Sequence, residues 1–269
     1  MNILVTLNKG YVKVLAVMLK SLLLADKNNN FDVYVMNTSL TAEDFDYLNG
    51  YLSCGRMKLI DIKADNSMLA QAPVTDRYPL EMYYRIFAAS FLPADVDRVL
   101  YLDPDLVVLK PLDSLYNTDM GDNFFAAASH VGNILTKVNN LRLNTEDNSP
   151  YINSGVMLMN IEQLRKEQDY EQVLDYIDRH KAFLLLPDQD VISALYSDRI
   201  IKVDPLVYNM TERLLLHPDT VERGVDMAWI AQNTAIIHFC GRNKPWKPGY
   251  TGMLGYIYHH ISAQKTENL

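Results

Sequence analysis

The order of apolar patterns along the chain predicts an α/β fold with a mostly parallel central sheet flanked by helices. Strand-like and helix-like patterns alternate through the first half, which is typical of parallel sheets with helical crossovers. Polar side chains lie at the carboxyl ends of two of the strand-like runs, within residues 6–8 and 103–105. Because ligands of such sheets bind at the carboxyl ends of strands, these two segments are the first candidates for a binding site.

The first half contains four strand-like runs and three helix-like runs. Apolar side chains from Val12 to Leu23 recur at helical spacing. Thr41 with Asp44 three positions later is typical of a helix N-terminus, and Pro93 ends the last helical pattern. The predicted strands are residues 3–7, 31–36, 57–62 and 99–102, and the predicted helices are residues 11–24, 41–52 and 81–91.

The second half mixes the two patterns and contains no internal repeat. Its predicted strands are residues 124–128, 155–159, 200–203 and 235–239, and its predicted helices are residues 162–180, in one or two pieces, and 188–196. No linker rich in Pro, Gly or Ser divides the chain. We therefore predict a single domain over residues 1–261, with a small C-terminal extension, and a polar tail over residues 262–269.

Composition and charge exclude several classes of protein. The formal net charge of −8 argues against a nucleic-acid partner and against an anionic membrane surface. No run reaches the ~18 apolar residues of a membrane span. The apolar stretch after Lys13 faintly resembles an export signal, but Lys20 interrupts it, which favours an amphipathic helix. Cys54 and Cys240 form no CxxC pair, so no zinc site or disulfide framework is indicated and a cytoplasmic location is expected.

Two carboxylates separated by one proline, Asp103-Pro104-Asp105, follow the apolar run VLYL. Burying an unpaired carboxylate at the edge of a core is costly, and two so close repel each other. A hard divalent cation such as Mg²⁺ or Mn²⁺ removes both problems and often shares its remaining positions with a substrate phosphate. The motif is therefore either a metal–diphosphate clamp or an ordinary solvated turn.

A second segment, Ile236 to Trp246, delivers His238 from a strand and Lys244 from a turn that contains Gly241. Imidazole is a good transition-metal ligand, lysine is a compact cation for a phosphate oxygen, and glycine allows close backbone approach. Alone, His238 could be a buried core histidine and Lys244 a solvated surface charge. The first strand is followed by no Gly-x-Gly-x-x-Gly motif and the chain has no P-loop lysine, so neither common phosphate-binding loop is indicated.

Four segments together are similar to family 8 of the retaining glycosyltransferases, the group of the bacterial lipopolysaccharide galactosyl- and glucosyltransferases and of glycogenin. They occur in the family's order and, with the N-terminal strand, span nearly the whole chain. The segments are Leu102-Asp-Pro-Asp-Leu106, Tyr151-Ile-Asn-Ser-Gly-Val-Met157, Pro187-Asp-Gln-Asp190 and His238-Phe-Cys-Gly-Arg-Asn-Lys-Pro-Trp246.

The resemblance implies a fold of the GT-A type, a UDP-glucose or UDP-galactose donor, and a Mn²⁺ ion, with Mg²⁺ as the alternative. It places the ion on Asp103, Asp105 and His238. The other positions that it matches to the donor are Thr6, Asn8 and Tyr11 at the uridine end, Arg85 nearby, Asn153, Ser154, Asp188 and Gln189 around the sugar, and Gly241 and Lys244 at the diphosphate.

Several of these residues also have a purely structural explanation. Tyr11 could cover the core, Arg85 could form a structural salt bridge, and Asn153 could sit in a turn. Asp188 follows a proline and suits a helix N-terminus. The chain departs from the family at two places, since some relatives carry aspartate at the position of Asn8 or the residue before it, and an acidic residue where this chain has His130.

The implied reaction moves a hexosyl group with retention, so that an α-linked donor gives an α-linked product. The leaving UDP gains negative charge while the sugar carbon becomes oxocarbenium-like. Gln189 matches the reactive face of the sugar, and because an amide is a poor nucleophile, attack by the acceptor from the face that UDP leaves is favoured. Asp188 or Asp190 acting as a nucleophile is the alternative.

Other functions stay open at this point. The same metal site could serve a nucleotidyltransferase or a nucleotide-sugar phosphohydrolase, or the chain could bind a nucleotide sugar without turnover. The acceptor is expected to be a glycan or a lipid- or protein-linked sugar, contacted by residues 143–150 and 208–218. A lipid-linked acceptor would place the protein peripherally at the inner face of the membrane.

Overall fold

The computed structural model describes residues 1–64, 80–130, 133–146 and 149–265, with the backbone alone for residues 133–135. Its strands are β1 (Asn2–Thr6), β2 (Phe31–Asn37), β3 (Met57–Lys63), β4 (Arg98–Leu102), β5 (Leu106–Val108), β6 (Phe125–Ala127), β7 (Val156–Asn160), β8 (Ile200–Lys202) and β9 (Ile236–His238). Its α-helices are α1 (Val12–Ala25), α2 (Ala42–Leu52), α3 (Ala88–Phe91), α4 (Asp113–Tyr116), α5 (Asn133–Leu143), α6 (Ile161–Glu167), α7 (Tyr170–His180), α8 (Pro187–Leu195), α9 (Pro205–Tyr208), α10 (Glu212–Leu215), α11 (Pro218–Glu222), α12 (Met227–Asn233) and α13 (Gly255–Ala263).

A seven-stranded mixed sheet in the order β3-β2-β1-β4-β7-β6-β8 forms the centre of the described structure. Strands β3, β2, β1 and β4 run parallel, β7 is antiparallel to both β4 and β6, and β8 is parallel to β6. A separate two-stranded antiparallel sheet pairs β5 with β9. The prediction of an α/β fold with a mostly parallel sheet is confirmed.

The sheet is buried on both faces because its strands are apolar at successive positions. In β1, Ile3 and Val5 belong to the core beneath α1, whereas Leu4 belongs to the core on the opposite face, as the alternation of side chains along a strand requires. A third apolar cluster joins β9 to the C-terminal helix through residues such as Ile237 and Tyr258. This third cluster fixes β9 beside the edge where the candidate site lies.

Most predicted elements have counterparts in the structure, with bounds that differ by one or two residues. The predicted helix over residues 81–91 is wrong in detail, since the chain forms a 3-10 helix at Leu80–Arg85 followed by the short α3. Tyr83, Tyr84, Arg85 and Ile86 are all buried, so no exposed face is available for a regular amphipathic helix. The helix α13 and the short helices α9 to α12 lack a counterpart in the sequence prediction.

Two predicted regions extend beyond the described residues. Residues 147 and 148 of the expected acceptor loop lie outside them, as do residues 266–269 of the expected polar tail. The domain boundary at residue 261 stays a prediction, and α13 continues to Ala263. Within the described ranges, none of the helices is both long and apolar enough to span a membrane.

Candidate metal and donor site

Pairing of two short strands brings Asp105 and His238 together across 133 residues of sequence. Asp103 and Asp105 occupy the turn between β4 and β5, at the carboxyl end of β4. Strand β5 pairs with β9 in a register that sets Leu106 opposite His238, so the imidazole reaches back over that turn. The site therefore depends on the small second sheet as well as on the large one.

The three side chains converge with their ligand atoms within 4.8 Å of one another. His238 Nε2 lies 3.1 Å from Asp105 Oδ1 and 3.6 Å from Asp103 Oδ2. His238 is only 2% exposed and Asp105 is buried. A cluster of two carboxylates and one imidazole is a donor set that suits Mn²⁺ and other divalent ions.

Each aspartate uses one oxygen for protein contacts and turns the other toward the imidazole. Asp103 Oδ1 accepts from the Tyr101 hydroxyl at 2.7 Å and from Arg85 Nη2 at 3.0 Å. Asp105 Oδ2 pairs with Lys244, which also donates to the Phe239 carbonyl at 2.7 Å. Burial alone would raise the pKa of Asp105, but His238 and Lys244 outweigh it and hold that pKa well below its ordinary value.

The backbone packs closely against two members of this cluster at Gly155, just before β7. A Cβ added at residue 155 would lie 2.7 Å from Asp103 Oδ2 and would also overlap the His238 ring. The backbone N–H of Asp103 donates to the Gly155 carbonyl at 2.8 Å, which fixes the approach. The two carboxylate oxygens that face the imidazole, together with the imidazole itself, form a donor set that fits a divalent cation.

Arg85 connects the aspartate turn to the start of α8. Its guanidinium lies 3.0 Å from Asp103 Oδ1 and 3.1 Å from Asp188 Oδ2, and it stacks 4.4 Å from the centroid of the Tyr101 ring. Ser154 Oγ donates to Asp188 Oδ2 at 2.8 Å. Burial raises the pKa of Asp188, although Arg85 and the Ser154 hydroxyl favour the charged form. Arg85 thus forms a structural salt bridge that lies inside the candidate site.

Gln189 and Asp190 share the first turn of α8 but have different surroundings. Asn153 Nδ2 donates to Gln189 Oε1 at 3.3 Å. Asp190 is 0% exposed and its two oxygens accept from Arg142, Tyr151 and two backbone amides, at 2.7 to 3.1 Å. Since every one of these contacts is internal, Asp190 is held as a structural anion, whereas Gln189 belongs to the polar network around Asn153.

The other matched residues surround the same edge of the sheet. Thr6 Oγ1 donates to the Tyr101 hydroxyl at 2.9 Å, because that hydroxyl already donates to Asp103. Asn8 accepts from the backbone N–H of Gly10 at 3.0 Å and so shapes its own turn. The Tyr11 ring packs edge-on against Trp246 at 6.3 Å between centroids. Gly241 adopts a φ of +92°, a conformation that favours glycine in the turn before Lys244.

Three residues that contribute to this geometry were not among the predicted site residues. Tyr101 belongs to the apolar run VLYL, and nothing in that run indicates that its hydroxyl takes part in the site. Gly155 could have been suspected from a glycine at the start of a strand. Asn209 accepts from His238 Nδ1 at 2.9 Å. The sequence instead predicts contacts with the acceptor for residues 208–218. No feature of that stretch indicates that Asn209 contacts His238.

A mixed sheet with a DxD turn at its carboxyl edge, faced by a histidine from a small second sheet, is the arrangement of the GT-A fold of glycosyltransferases. The structure of the galactosyltransferase LgtC in complex with donor and acceptor sugar analogues superposes with a TM-score of 0.84 at 22% identity, covering 97% of this chain and 95% of that one. Residues 2–248 match the family model of glycosyl transferase family 8, so the chain belongs to that family. The predicted family and GT-A fold are confirmed.

Curated relatives cover most of the chain at modest identity. General stress protein A of Bacillus subtilis (strain 168) is 27% identical over 254 residues, which is 91% of this chain and 87% of that protein. A lipopolysaccharide 1,2-glucosyltransferase of Escherichia coli is 25% identical over 242 residues, which is 89% of this chain and 71% of that protein. The chain is therefore a glycosyltransferase with relatives in lipopolysaccharide synthesis.

Proposed function

We propose that this glycosyltransferase moves glucose or galactose from a UDP-sugar to a carbohydrate-containing acceptor, with retention and with dependence on a divalent cation. The single observation that supports this most is the convergence of Asp103, Asp105 and His238 beside the buried cations Arg85 and Lys244. Mn²⁺ is the proposed ion, because one imidazole and two carboxylates suit it, and Mg²⁺ is the alternative.

The ion would be held by Asp103 Oδ2, Asp105 Oδ1 and His238 Nε2, the atoms that face one another. When bound, it would supply Lewis-acid charge to the leaving diphosphate. Lys244, which now pairs with Asp105, is proposed to donate to a diphosphate oxygen as that charge develops. Gly241 allows the backbone of the same turn to approach the phosphates.

For the sugar, we propose attack by the acceptor from the face that UDP leaves, with an α-linked product. The Gln189 side chain accepts a hydrogen bond from Asn153. Its amide can bind a sugar hydroxyl or stabilise the developing positive charge without forming a covalent bond to the sugar. Asp188 is paired with Arg85 and Ser154 and is proposed to orient the donor sugar through that cluster. Asp190, whose oxygens are fully occupied by internal donors, is proposed as a positioning residue and not as a nucleophile.

The remaining donor contacts are proposed from the positions of residues near the end of β1. Thr6, Asn8 and Tyr11 lie at and after the carboxyl end of β1, next to β4, and are proposed to bind the uridine. The acceptor is proposed to be a glycan or a lipid- or protein-linked sugar, and a lipid-linked acceptor would bring the protein to the inner face of the membrane from the cytoplasm.

The test is a donor screen with purified protein, with and without Mn²⁺. We expect UDP-glucose or UDP-galactose to be turned over, and Asp103→Ala and His238→Ala to reduce the rate by about 10²–10³-fold, because each removes preorganised charge stabilisation. Asp178→Ala, which alters an exposed ion pair on α7, is the matched control. Metal-independent turnover that Asp103→Ala leaves unchanged would contradict the proposal, as would release of phosphate without a new glycoside, or donor binding without turnover.

A further inference from the structure

Asn209, a buried residue just after α9, joins the candidate metal ligand His238 to the amide network of Gln189. We propose that Asn209 is a positioning residue that fixes His238 as a metal ligand and at the same time sets the orientation of the Gln189 amide. The inference rests on the proposed function, because it concerns the same metal and the same donor sugar. The inference gives a role in the site to Asn209, a residue that would contact neither the metal ion nor the donor sugar.

The orientation of each amide in this network follows from one backbone group. The N–H of Gly155 can only donate, and it lies 3.1 Å from the Asn153 side chain, so the facing atom is Asn153 Oδ1. Asn209 approaches that same oxygen at 3.0 Å and must present its Nδ2. The other end of the Asn209 amide is therefore Oδ1, and this oxygen lies 2.9 Å from His238 Nδ1.

This arrangement selects one tautomer of His238. Because Asn209 Oδ1 accepts, His238 Nδ1 carries the hydrogen, and in the neutral ring Nε2 has a free lone pair. That lone pair faces Asp105 Oδ1 at 3.1 Å and Asp103 Oδ2 at 3.6 Å. Acceptors that face one another in this way need a cation or a proton between them, and Asn209 orients the imidazole so that Nε2 is the nitrogen that a metal ion would meet. Hydrogen bonds of this kind to the second ring nitrogen orient metal-bound histidines in general.

The other end of the network reaches Gln189. With Asn153 Oδ1 engaged by Gly155 and Asn209, Asn153 Nδ2 is left to donate to Gln189 Oε1 at 3.3 Å. If Asn209 ceased to donate, Asn153 would lose one of the two donors that hold its amide. The orientation of the glutamine amide at the sugar would then be less well defined.

Asn209 is itself held rigidly. It is 0% exposed, its backbone N–H donates to the Pro205 carbonyl at 3.1 Å, and its carbonyl accepts from His130 Nε2 at 2.7 Å. The next residue, Met210, bridges to β9 by accepting from the His238 backbone N–H at 2.8 Å. From this fixed place, the one amide of Asn209 accepts from the imidazole and donates to Asn153.

Two substitutions separate the two halves of this role. Asn209→Ala removes both contacts, and we expect the Kd for Mn²⁺ to rise about 10–100-fold, the usual cost of losing such a hydrogen bond. Asn209→Asp can still accept from His238 Nδ1 but cannot donate to Asn153. We expect it to bind Mn²⁺ no more weakly than the wild type, while kcat falls about tenfold or more through misplacement of Gln189.

The measurements are Mn²⁺ titration by calorimetry on donor-free protein, and kcat and KM for the donor at saturating Mn²⁺. Thr234→Val is the matched control, because Thr234 Oγ1 donates to the Leu206 carbonyl at 2.8 Å and tethers the same α9 segment without touching the network. It should leave the Kd for Mn²⁺ and kcat unchanged. If Asn209→Ala does not fold, as judged by circular dichroism, Asn209→Asp and the control decide the matter.

The inference is overturned if Asn209→Ala binds Mn²⁺ as the wild type does. It is also overturned if Asn209→Asp loses Mn²⁺ affinity, or if its kcat equals that of the wild type. These results would leave the proposed function intact so long as the wild type binds Mn²⁺ and transfers the sugar. Failure of the wild type itself to bind Mn²⁺ would refute the metal-dependent function and this inference together.

Discussion

At the scale of single residues, the shape of the cluster depends on a position without a side chain. Gly155 lies just before β7, and its missing Cβ allows the side chains of Asp103 and His238 to pack against the backbone. Its φ lies outside the left-handed region that favours glycine, so its backbone conformation is open to other residues. The requirement for glycine is therefore one of volume at the ligands and not of backbone strain.

Gly155→Ala should consequently damage the site more than the fold. The added methyl would meet Asp103 Oδ2 and the His238 ring, so we expect the Kd for Mn²⁺ to rise by about tenfold or more as the two ligands are pushed apart. Calorimetric titration of Mn²⁺ measures this, and thermal unfolding without metal reports on the fold. Gly50→Ala is the control, since a Cβ at that position in α2 meets no atom within 4 Å. Equal Mn²⁺ affinity in wild type and Gly155→Ala would refute the steric argument.

At the scale of elements, a buried lysine joins the first and last helices of the described chain. Lys20 is 1% exposed on the apolar helix α1, and its ammonium donates to the carbonyls of Ser262 at 2.9 Å and Gln264 at 3.0 Å. Those carbonyls belong to the C-terminal end of α13, where a cation is favoured by the helix dipole. The charge that interrupts the apolar run of α1 thus caps another helix.

Lys20→Met keeps the apolar stem of the side chain and removes the cap. Because hydrogen bonds from a charged donor are worth about 1.5–3 kcal/mol, less the cost of burying the ammonium, we expect a net loss of about 1 kcal/mol. The loss should be confined largely to α13. Hydrogen exchange is the measurement, and the amides of α13 should exchange faster while those of β1 do not. Lys13→Met, at an exposed position of the same helix, should change neither, and unaltered exchange in α13 of Lys20→Met would contradict the capping role.

Sequence patterns predicted the elements of the first half well because these are regular and differ clearly in period. Strands such as β2 have apolar residues on both faces, and Thr41 is the N-cap of α2, where its backbone N–H donates to Asp44 as the predicted helix N-terminus requires. The failure at residues 81–91 is local: the buried Arg85 ends the 3-10 helix and pairs with Asp103 and Asp188, and the helical pattern of the sequence does not indicate these contacts. The short helices after β8 have too few turns to produce a period.

The candidate site was predictable only for residues whose chemistry stands out in the sequence. A DxD turn and a histidine followed by Gly and Lys carry that information, and their convergence is present in the structure. Tyr101, Gly155 and Asn209 act through distances that depend on the register between β5 and β9 and on the start of β7. No pattern within a single segment of the chain specifies those distances.

At the scale of the whole molecule, charge explains why an acidic protein would need a cation to hold an anionic donor. The protein has a formal net charge of −8. Within the cluster, the carboxylates Asp103, Asp105 and Asp188 outnumber the cations Arg85 and Lys244 by one. A bound divalent ion would reverse the sign of this cluster. The same ion would also tie the end of β4 to β9, two segments far apart in the sequence.

A ligand that joins distant segments of the native state should stabilise the whole fold. At a Mn²⁺ concentration of 100 times Kd, binding to the native state alone adds about 2.7 kcal/mol, which corresponds to a rise in Tm of about 5 °C for a chain of this size. We expect this rise in the wild type by scanning calorimetry without any donor. The double variant Asp103→Asn with His238→Gln keeps similar side-chain volumes but loses two of the three ligands, and its Tm should not respond to Mn²⁺. An equal rise in both proteins would mean that Mn²⁺ binds elsewhere, and no rise in either would remove the ion from the proposed site.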